Sequence, residues 1–242
     1  MRTNLNSVFI AFAIIVSAAI LGSAWKKSHL THNAINVTGL AAKNFTSDLI
    51  VWSGSFQRKA MTTQEAFAKL KSDMETIKKY LLEKGVSEKE VVFSAVNINK
   101  EFDHIRNHDE SETDVFTGYN LTQHVEIESK SVDKIELLSR EVTELIDKGI
   151  EFYSEEPRYY YTKLADLKIE MLASATKDAR TRAEKIAENS GGSIGNLTFA
   201  DMGIFQITGQ NSAEEYTWGG TFNTSSKNKT ASITVKLEFS IN

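Results

Sequence analysis

The chain is expected to fold as an α+β protein. An antiparallel-rich sheet would carry three amphipathic helices, contain a β-α-β-β-α-β (ferredoxin-like) core, and follow one N-terminal hydrophobic helix. Three observations predict this. A charge-free stretch opens the chain, short alternating runs recur between helical stripes, and residues 173–195, "ASATKDARTRAEKIAENSGGSIG", place an alanine at every fourth position before a double glycine.

The opening stretch, Leu5 to Trp25, lies between Arg2 and Lys26-Lys27. As a helix rising about 1.5 Å per residue it would reach roughly 30 Å, the thickness of a bilayer core. A cleaved signal has a shorter apolar stretch, about 7 to 15 residues, yet Gly22-Ser23-Ala24 offers small residues for a peptidase. Residues 1–25 thus read as a signal anchor or a signal peptide. The Lys26-Lys27 pair is on the wrong side for export by the positive-inside rule. Export is still expected, because nearly the whole chain follows one apolar leader. Residues 26–34 read as a tether and 35–242 as the body.

In the body, "AINVTGLAAKNFTSDLIVWSGSFQ" predicts strands near 35–40 and 48–57 about a Lys43-Asn44 turn. Thr62-Thr63-Gln64-Glu65 has the form of a capping box, and Phe67, Leu70, Met74, Ile77 and Leu81 make the stripe of the helix that Gly85 ends. "EVVFSAVNINKEF" returns to strand. "GYNLTQHVEIES" alternates, and Ile135, Leu138, Val142 and Leu145 stripe a second helix up to Lys148-Gly149. "IEFYSEEPRYYYTKL" supplies a strand or a bent pair, with the Tyr159-Tyr160-Tyr161 rings alternating in and out. A third helix, roughly 166–190, takes Asp166 as its cap. Leu167, Met171, Leu172 and Ile186 extend an apolar face whose centre is Ala175, Ala179, Ala183 and Ala187. These small side chains predict a close-packing seam, with Gly191-Gly192 ending the helix. Two more strands follow, in "SIGNLTFADMGIFQITG" and "KTASITVKLEFSIN".

Composition excludes several functions. With no cysteine there is no disulfide, thiolate metal site or cysteine nucleophile, and a net charge of −4 without a basic block argues against nucleic acid. Gly191-Gly192-Ser193-Ile194-Gly195 follows a helix, whereas phosphate loops precede one; Ser53-Gly54-Ser55 sits mid-strand without a nucleophile elbow. No catalytic residue and no cofactor is expected.

Two segments remain. In "EFDHIRNHDESETD", His104 and His108 would share a helix face at i, i+4, with Asp103, Asp109, Glu110, Glu112 and Asp114 near them as metal ligands; a solvated acidic loop is the simpler reading. His29 and His32 fall in the tether, and His124 reads as a surface residue. The long connection 209–230 holds Tyr216, Trp218 and Phe222 among glycine, serine and asparagine. Those aromatics either form a contact surface or fold back on their own sheet.

"ATKDARTRAEKIAENSGGSIGNL" resembles the signature of the SIMPL-domain family, the YggE-like bacterial envelope proteins. "INVTGLAAKNFTSDLIVWSGSF", "LLEKGVSEKEVVFSAVNI", "GYNLTQHVEIES", "LIDKGIEFY" and "SITVKLEFSI" agree in order, covering about residues 35–241. Ser47-Asp48 departs from a frequent proline-aspartate, which would loosen the start of that strand, and the polar insert near 103–115 is another departure. The resemblance implies a non-enzymatic protein of the bacterial cell envelope, anchored in the inner membrane and facing the periplasm, or soluble there after signal cleavage. It also implies a homo-oligomer, ring-like in some members, and a role in oxidative or envelope stress. It supplies no catalytic residues.

Overall fold

A computed structural model of the chain describes residues 5–28, 34–106 and 112–242. It is a mixed α+β protein built from antiparallel sheets after an amino-terminal helix. In chain order the elements are α1 (Leu5–Ser28), β1 (Ala34–Thr46), β2 (Leu49–Ala60), α2 (Thr63–Glu83), β3 (Val91–Phe93), β4 (Asn97–Arg106) and β5 (Glu112–Ser129). Then come α3 (Val132–Glu141), α4 (Glu144–Asp147), β6 (Phe152–Ser154), β7 (Arg158–Tyr160), α5 (Leu164–Asn189), β8 (Ile194–Met202), β9 (Gln206–Gly209) and β10 (Asn228–Ile241).

The strands divide between two sheets, where a single layer was expected. One is six-stranded in the order β3-β5-β2-β6, with β4 also on β5 and β7 also on β2. The other runs β1-β10-β8, with β9 also on β10. The chain forms two compact units. The larger comprises Leu40–Ala175 and Gly203–Thr234; the smaller takes the residues up to Gly39, Thr176–Met202 and Val235–Asn242.

In the larger unit β2 and β5 form the spine of the six-stranded sheet. Ile50, Trp52 and Phe56 of β2 are fully buried with Leu121, Val125 and Ile127 of β5. Over them lies α2, capped by Thr62 Oγ1 accepting the Glu65 amide at 3.3 Å. Its buried stripe is Ala66, Leu70, Asp73, Ile77, Tyr80 and Leu81; Phe67, expected inside, is exposed. Asp73 is a carboxylate on the buried face because Arg58 of β2 meets it, Nη2 donating to Oδ1 at 3.0 Å while also reaching the Gly149 carbonyl at 2.6 Å. The stripe Ile135, Leu138, Val142, Leu145 is buried as read, although a break after Glu141 divides it between α3 and α4. Tyr159 is buried, while Tyr160 and Tyr161 are partly so.

Lys43 and Asn44 lie inside β1, not at its turn. The break falls at Ser47-Asp48, and it is held firmly. The Ser47 amide donates to the Lys227 carbonyl at 2.9 Å, and Asp48 accepts from the Thr162 amide and hydroxyl, each at 2.7 Å. The strand entry is tied without a proline, by the Ser47 amide, the Asp48 amide on the Tyr160 carbonyl at 3.0 Å and the Asp48 carboxylate together.

In the smaller unit β8 pairs antiparallel with Val235–Ile241. Its buried side chains are Ile35, Val37, Val235, Leu237 and Phe239 of the strands and Ala179, Ala183 and Ala187 of α5. Methyl groups are thus what the helix contributes to this core. Ala175, Met171 and Leu167 continue the stripe in the larger unit, whereas Leu172 and Ile186 are exposed, off that face. Every described side chain of α1 is exposed, and among the described residues no helix is long and apolar enough to cross a membrane.

A seam closed around methyl groups has no room for a larger side chain. Ala183→Leu should destabilise the protein by about 1 to 3 kcal/mol, whereas Lys177→Leu on the exposed face should change stability by less than about 0.5 kcal/mol. Urea denaturation of the two variants measures the difference.

Candidate functional site

The longest irregular connection with described coordinates runs from β9 to β10, and its base is a polar network in which Gln206, Asn223 and Lys229 are buried and Glu214 is exposed. β9 is buried at all four positions. The Gln206 amide reads the returning chain: Oε1 accepts the Thr221 amide at 2.7 Å and Nε2 donates to the Thr217 carbonyl at 2.8 Å. Backbone bonds from the Ile207 amide to the Thr221 carbonyl (2.7 Å) and from the Asn223 amide to the Ile207 carbonyl (2.9 Å) lay residues 221–223 parallel to β9.

Below this pairing Glu214 Oε2 accepts the Gly209 amide at 2.7 Å, and its other oxygen accepts Asn223 Nδ2. The Gly209 amide, then the Asn223 amide, hold the Glu214 carboxyl below the ordinary glutamate range. Asn223 Oδ1 accepts the Ser226 amide at 2.8 Å, and Lys229 Nζ donates to the Asn223 carbonyl. Lys229 is only 2% exposed. Burial pushes its amine down from 10.5 to about 8, against the pull of Glu214.

Above the base stand the aromatics. Trp218 is 96% exposed, and Tyr216 and Phe222 are exposed as well. They do not fold back on their sheet. The turn that lifts Trp218 needs Gly220, whose φ is +90° and whose added Cβ would lie 2.9 Å from the Phe205 carbonyl. The arrangement is a hydrogen-bonded base with an exposed apolar tip. The sequence flagged the tip and missed Gln206, Glu214, Asn223 and Lys229. One signal was available for the last: in "KTASITVKLEF" Lys229 keeps the phase of Ala231, Ile233, Val235, Leu237 and Phe239, all of them buried.

The described parts of the acidic segment, up to residue 106 and from residue 112, are strand and not helix. β4 and β5 pair from Asn97↔Thr122 to Arg106↔Glu112. The i, i+4 geometry expected for His104 and His108 therefore does not form at His104, which sits on a strand with Nδ1 against Oδ1 of its cross-strand neighbour Asp114. Both side chains are exposed. His108, Asp109 and Glu110 lie outside the described residues, as do His29 and His32. Among the described residues there is no cluster of three or more His, Asp or Glu able to hold a metal. His124 is exposed on β5.

Lys229 makes stability depend on pH in a defined sense. Below about pH 8 the folded and unfolded chains both carry its proton, and the fold bears the full penalty of a buried ammonium. Between about 8 and 10.5 the unfolded chain keeps a proton that the folded chain has released, so stability rises with pH. Relative to Lys229→Met, the wild type should gain up to about 3 kcal/mol across that window. Urea titrations of both proteins at a series of pH values measure it, and parallel curves would refute it.

Comparison with known proteins adds one finding. No match is found among curated proteins. The model of the SIMPL family, described as "Protein of unknown function (DUF541)", matches residues 35–239. That match covers most of the chain and both sheets except Ala34 of β1 and the last two residues of β10, and the chain belongs to the SIMPL family.

Proposed function

We propose that the protein is a non-enzymatic, envelope-facing assembly protein that works by self-association, its apolar leader fixing it to a membrane. The observation that carries this reading is β8. Among the described residues it pairs on one side only, with β10. It exposes Leu197 (52%), Phe199 (55%) and Met202 (60%), and "IGNLTFADM" holds no proline or lysine and the single charge of Asp201. Apart from two register irregularities against β10, this edge has little to deter another strand, and an exposed apolar edge is a template for one. β1 is the opposite edge of the same sheet, so joining β8 of one copy to β1 of the next is a head-to-tail contact that closes into a ring or continues as a filament.

The exposed aromatic tip at Trp218 supports the same reading as a second contact. The order β3-β5-β2-β6, with α2 and α3 as its crossovers, supports a ferredoxin-like split unit as the scaffold. Export is supported by α1, whose exposed side chains include Phe9, Phe12, Ile15, Ile20 and Leu21. A role in oxidative or envelope stress rests on family resemblance alone.

Light scattering of the full chain in detergent, and of residues 35–242, should give an oligomer whose mass persists on dilution to micromolar concentration. Phe199→Lys should raise the dissociation constant at least about tenfold, and Trp218→Ala with Phe222→Ala should weaken association less. A strict monomer at every concentration would end the proposal. For the leader, intact mass of the protein from membrane and soluble envelope fractions should show full length in the membrane. A soluble form beginning near Ala24 would instead establish cleavage.

A further inference from the structure

The six-stranded sheet is not covered evenly on its helix side. The strand side chains buried with α2 and α3 are mainly those of β2 and β5, while β4, paired only with β5, lies beyond them. Ile98 of β4 stands opposite the buried Leu121, and residues directly opposite share a face. Ile98, Lys100 and Phe102 therefore all turn to the helix side, since the extra residue of the bulge, Thr117, belongs to β5. Ile98 (54%) and Phe102 (47%) are nonetheless exposed. Phe102 meets Phe116 edge-on at 5.6 Å, and Phe116 meets Tyr119 at 5.2 Å, so an aromatic row runs from this strand to the core.

The nearer flank of α2 is apolar as well. Phe67, Lys71, Met74 and Lys78 follow one another along it at helical spacing. It faces the side of β3 and β4, because Lys78 pairs with Glu88 just before β3. Phe67 is exposed there and Met74 half-buried. An apolar trough thus lies between α2 and β4, within the larger unit.

Its charge is positive. Lys71 and Lys100, one on each wall, have no ion pair among the described residues. The acids around them are taken: Glu101 by Lys59 at 2.6 Å, Glu65 by Lys69 at 2.8 Å and Asp114 by His104. The aromatic tip has the opposite sign. Residues 209–226 contain two glutamates and no lysine or arginine. Glu214 is engaged at the base, whereas Glu215, beside Tyr216, is exposed and makes no ion pair among the described residues.

We propose that the trough between α2 and β4 receives the aromatic tip of a second copy of the chain, Trp218 entering between Phe67 and Phe102 and Glu215 meeting Lys71 and Lys100. Edge-to-face contact with the aromatic row suits an indole, and the paired charges select its orientation. A knob on one surface and a trough on another make a head-to-tail contact, as β8 and β1 do. The inference rests on self-association and on the tip as a second contact, and it names what the tip touches.

The chain has no cysteine, so one cysteine on each of two variants reports only contact between copies. Gly219→Cys is accommodated beside the indole, since an added Cβ there meets nothing within 4 Å; Ile98→Cys marks the trough. The two full-length variants, mixed in neutral detergent micelles and treated with a short bismaleimide, should cross-link to each other. The yield should be at least about fivefold that of Gly219→Cys with Lys177→Cys on the exposed face of α5. Lys71→Glu with Lys100→Glu should raise the dissociation constant about tenfold, and adding Glu215→Lys should recover most of that loss, which a misfolded variant could not do. Association seen by light scattering without the selective cross-link, or without response to charge reversal, overturns this contact and leaves assembly through β8 standing. Absence of association at every concentration overturns both.

Discussion

Everything in the larger unit depends on the register between β2 and β5. It runs unbroken from Ile50↔Ser129 to Ala60↔Tyr119. A slip of one residue would turn Ile50, Trp52 and Phe56 away from the helices and bring Ser53 and Gln57 beneath them. The register also fixes what lies beyond it. β6 pairs with the middle of β2, placing the Phe152 ring over Gly54, where any Cβ would stand 2.4 Å from it. Trp52 can then be wholly buried, because its indole nitrogen reaches Ser154 Oγ at 3.0 Å in that same short strand. One pairing therefore sets the core, the docking of β6 and the satisfaction of a buried donor.

Legibility in the sequence followed the range of the interaction that decides each element. The stripes of α2, α3 and α5 are set by helical periodicity, and the buried faces carry most of the residues that periodicity selects. The alanine row is the clearest case, since every member is buried. The errors came where distant residues decide. Lys43-Asn44 looked like a turn by composition, but Lys43 is held as strand surface by Glu170 at 2.6 Å, and the break is displaced to Ser47-Asp48 by Lys227 and Thr162. Asp73 could not be assigned to a buried face before Arg58 was known to meet it across the helix–sheet interface. The extension of β4 beyond Phe102 and of β5 before Gly118 was missed because its alternation is written partly in charged residues, whose spacing reads as a solvated loop until the pairing is seen.

The candidate site shows the same division more sharply. Tyr216, Trp218 and Phe222 were legible because aromatics among small polar residues are conspicuous. The groups that hold them were not. Gln206, Asn223 and Lys229 are types that normally face water, and their hydrogen bonds to the loop, with the exposed Glu214 joining from its side, make burial tolerable. Their arrangement closes on itself: Gln206 holds one end of the returning chain, Glu214 and Asn223 the middle, and Lys229 ties Asn223 to β10.

That closure bears on how the tip can work. A loop that must be ordered when a partner arrives loses much of its contact energy to conformational entropy, on the order of 1–2 kcal/mol for each residue fixed. Here the loop's own hydrogen bonds do the ordering in advance, so under the proposed assembly a partner at Trp218 would have little left to immobilise beyond the indole itself. The edge of β8 is held on one side by β10, with two irregularities in the register, and has no strand on its other side among the described residues. Exposed apolar groups on soft segments mostly collapse inward. Here the exposed aromatics stand on a hydrogen-bonded base, and it is that base, more than the hydrophobicity, that the proposed assembly would draw on.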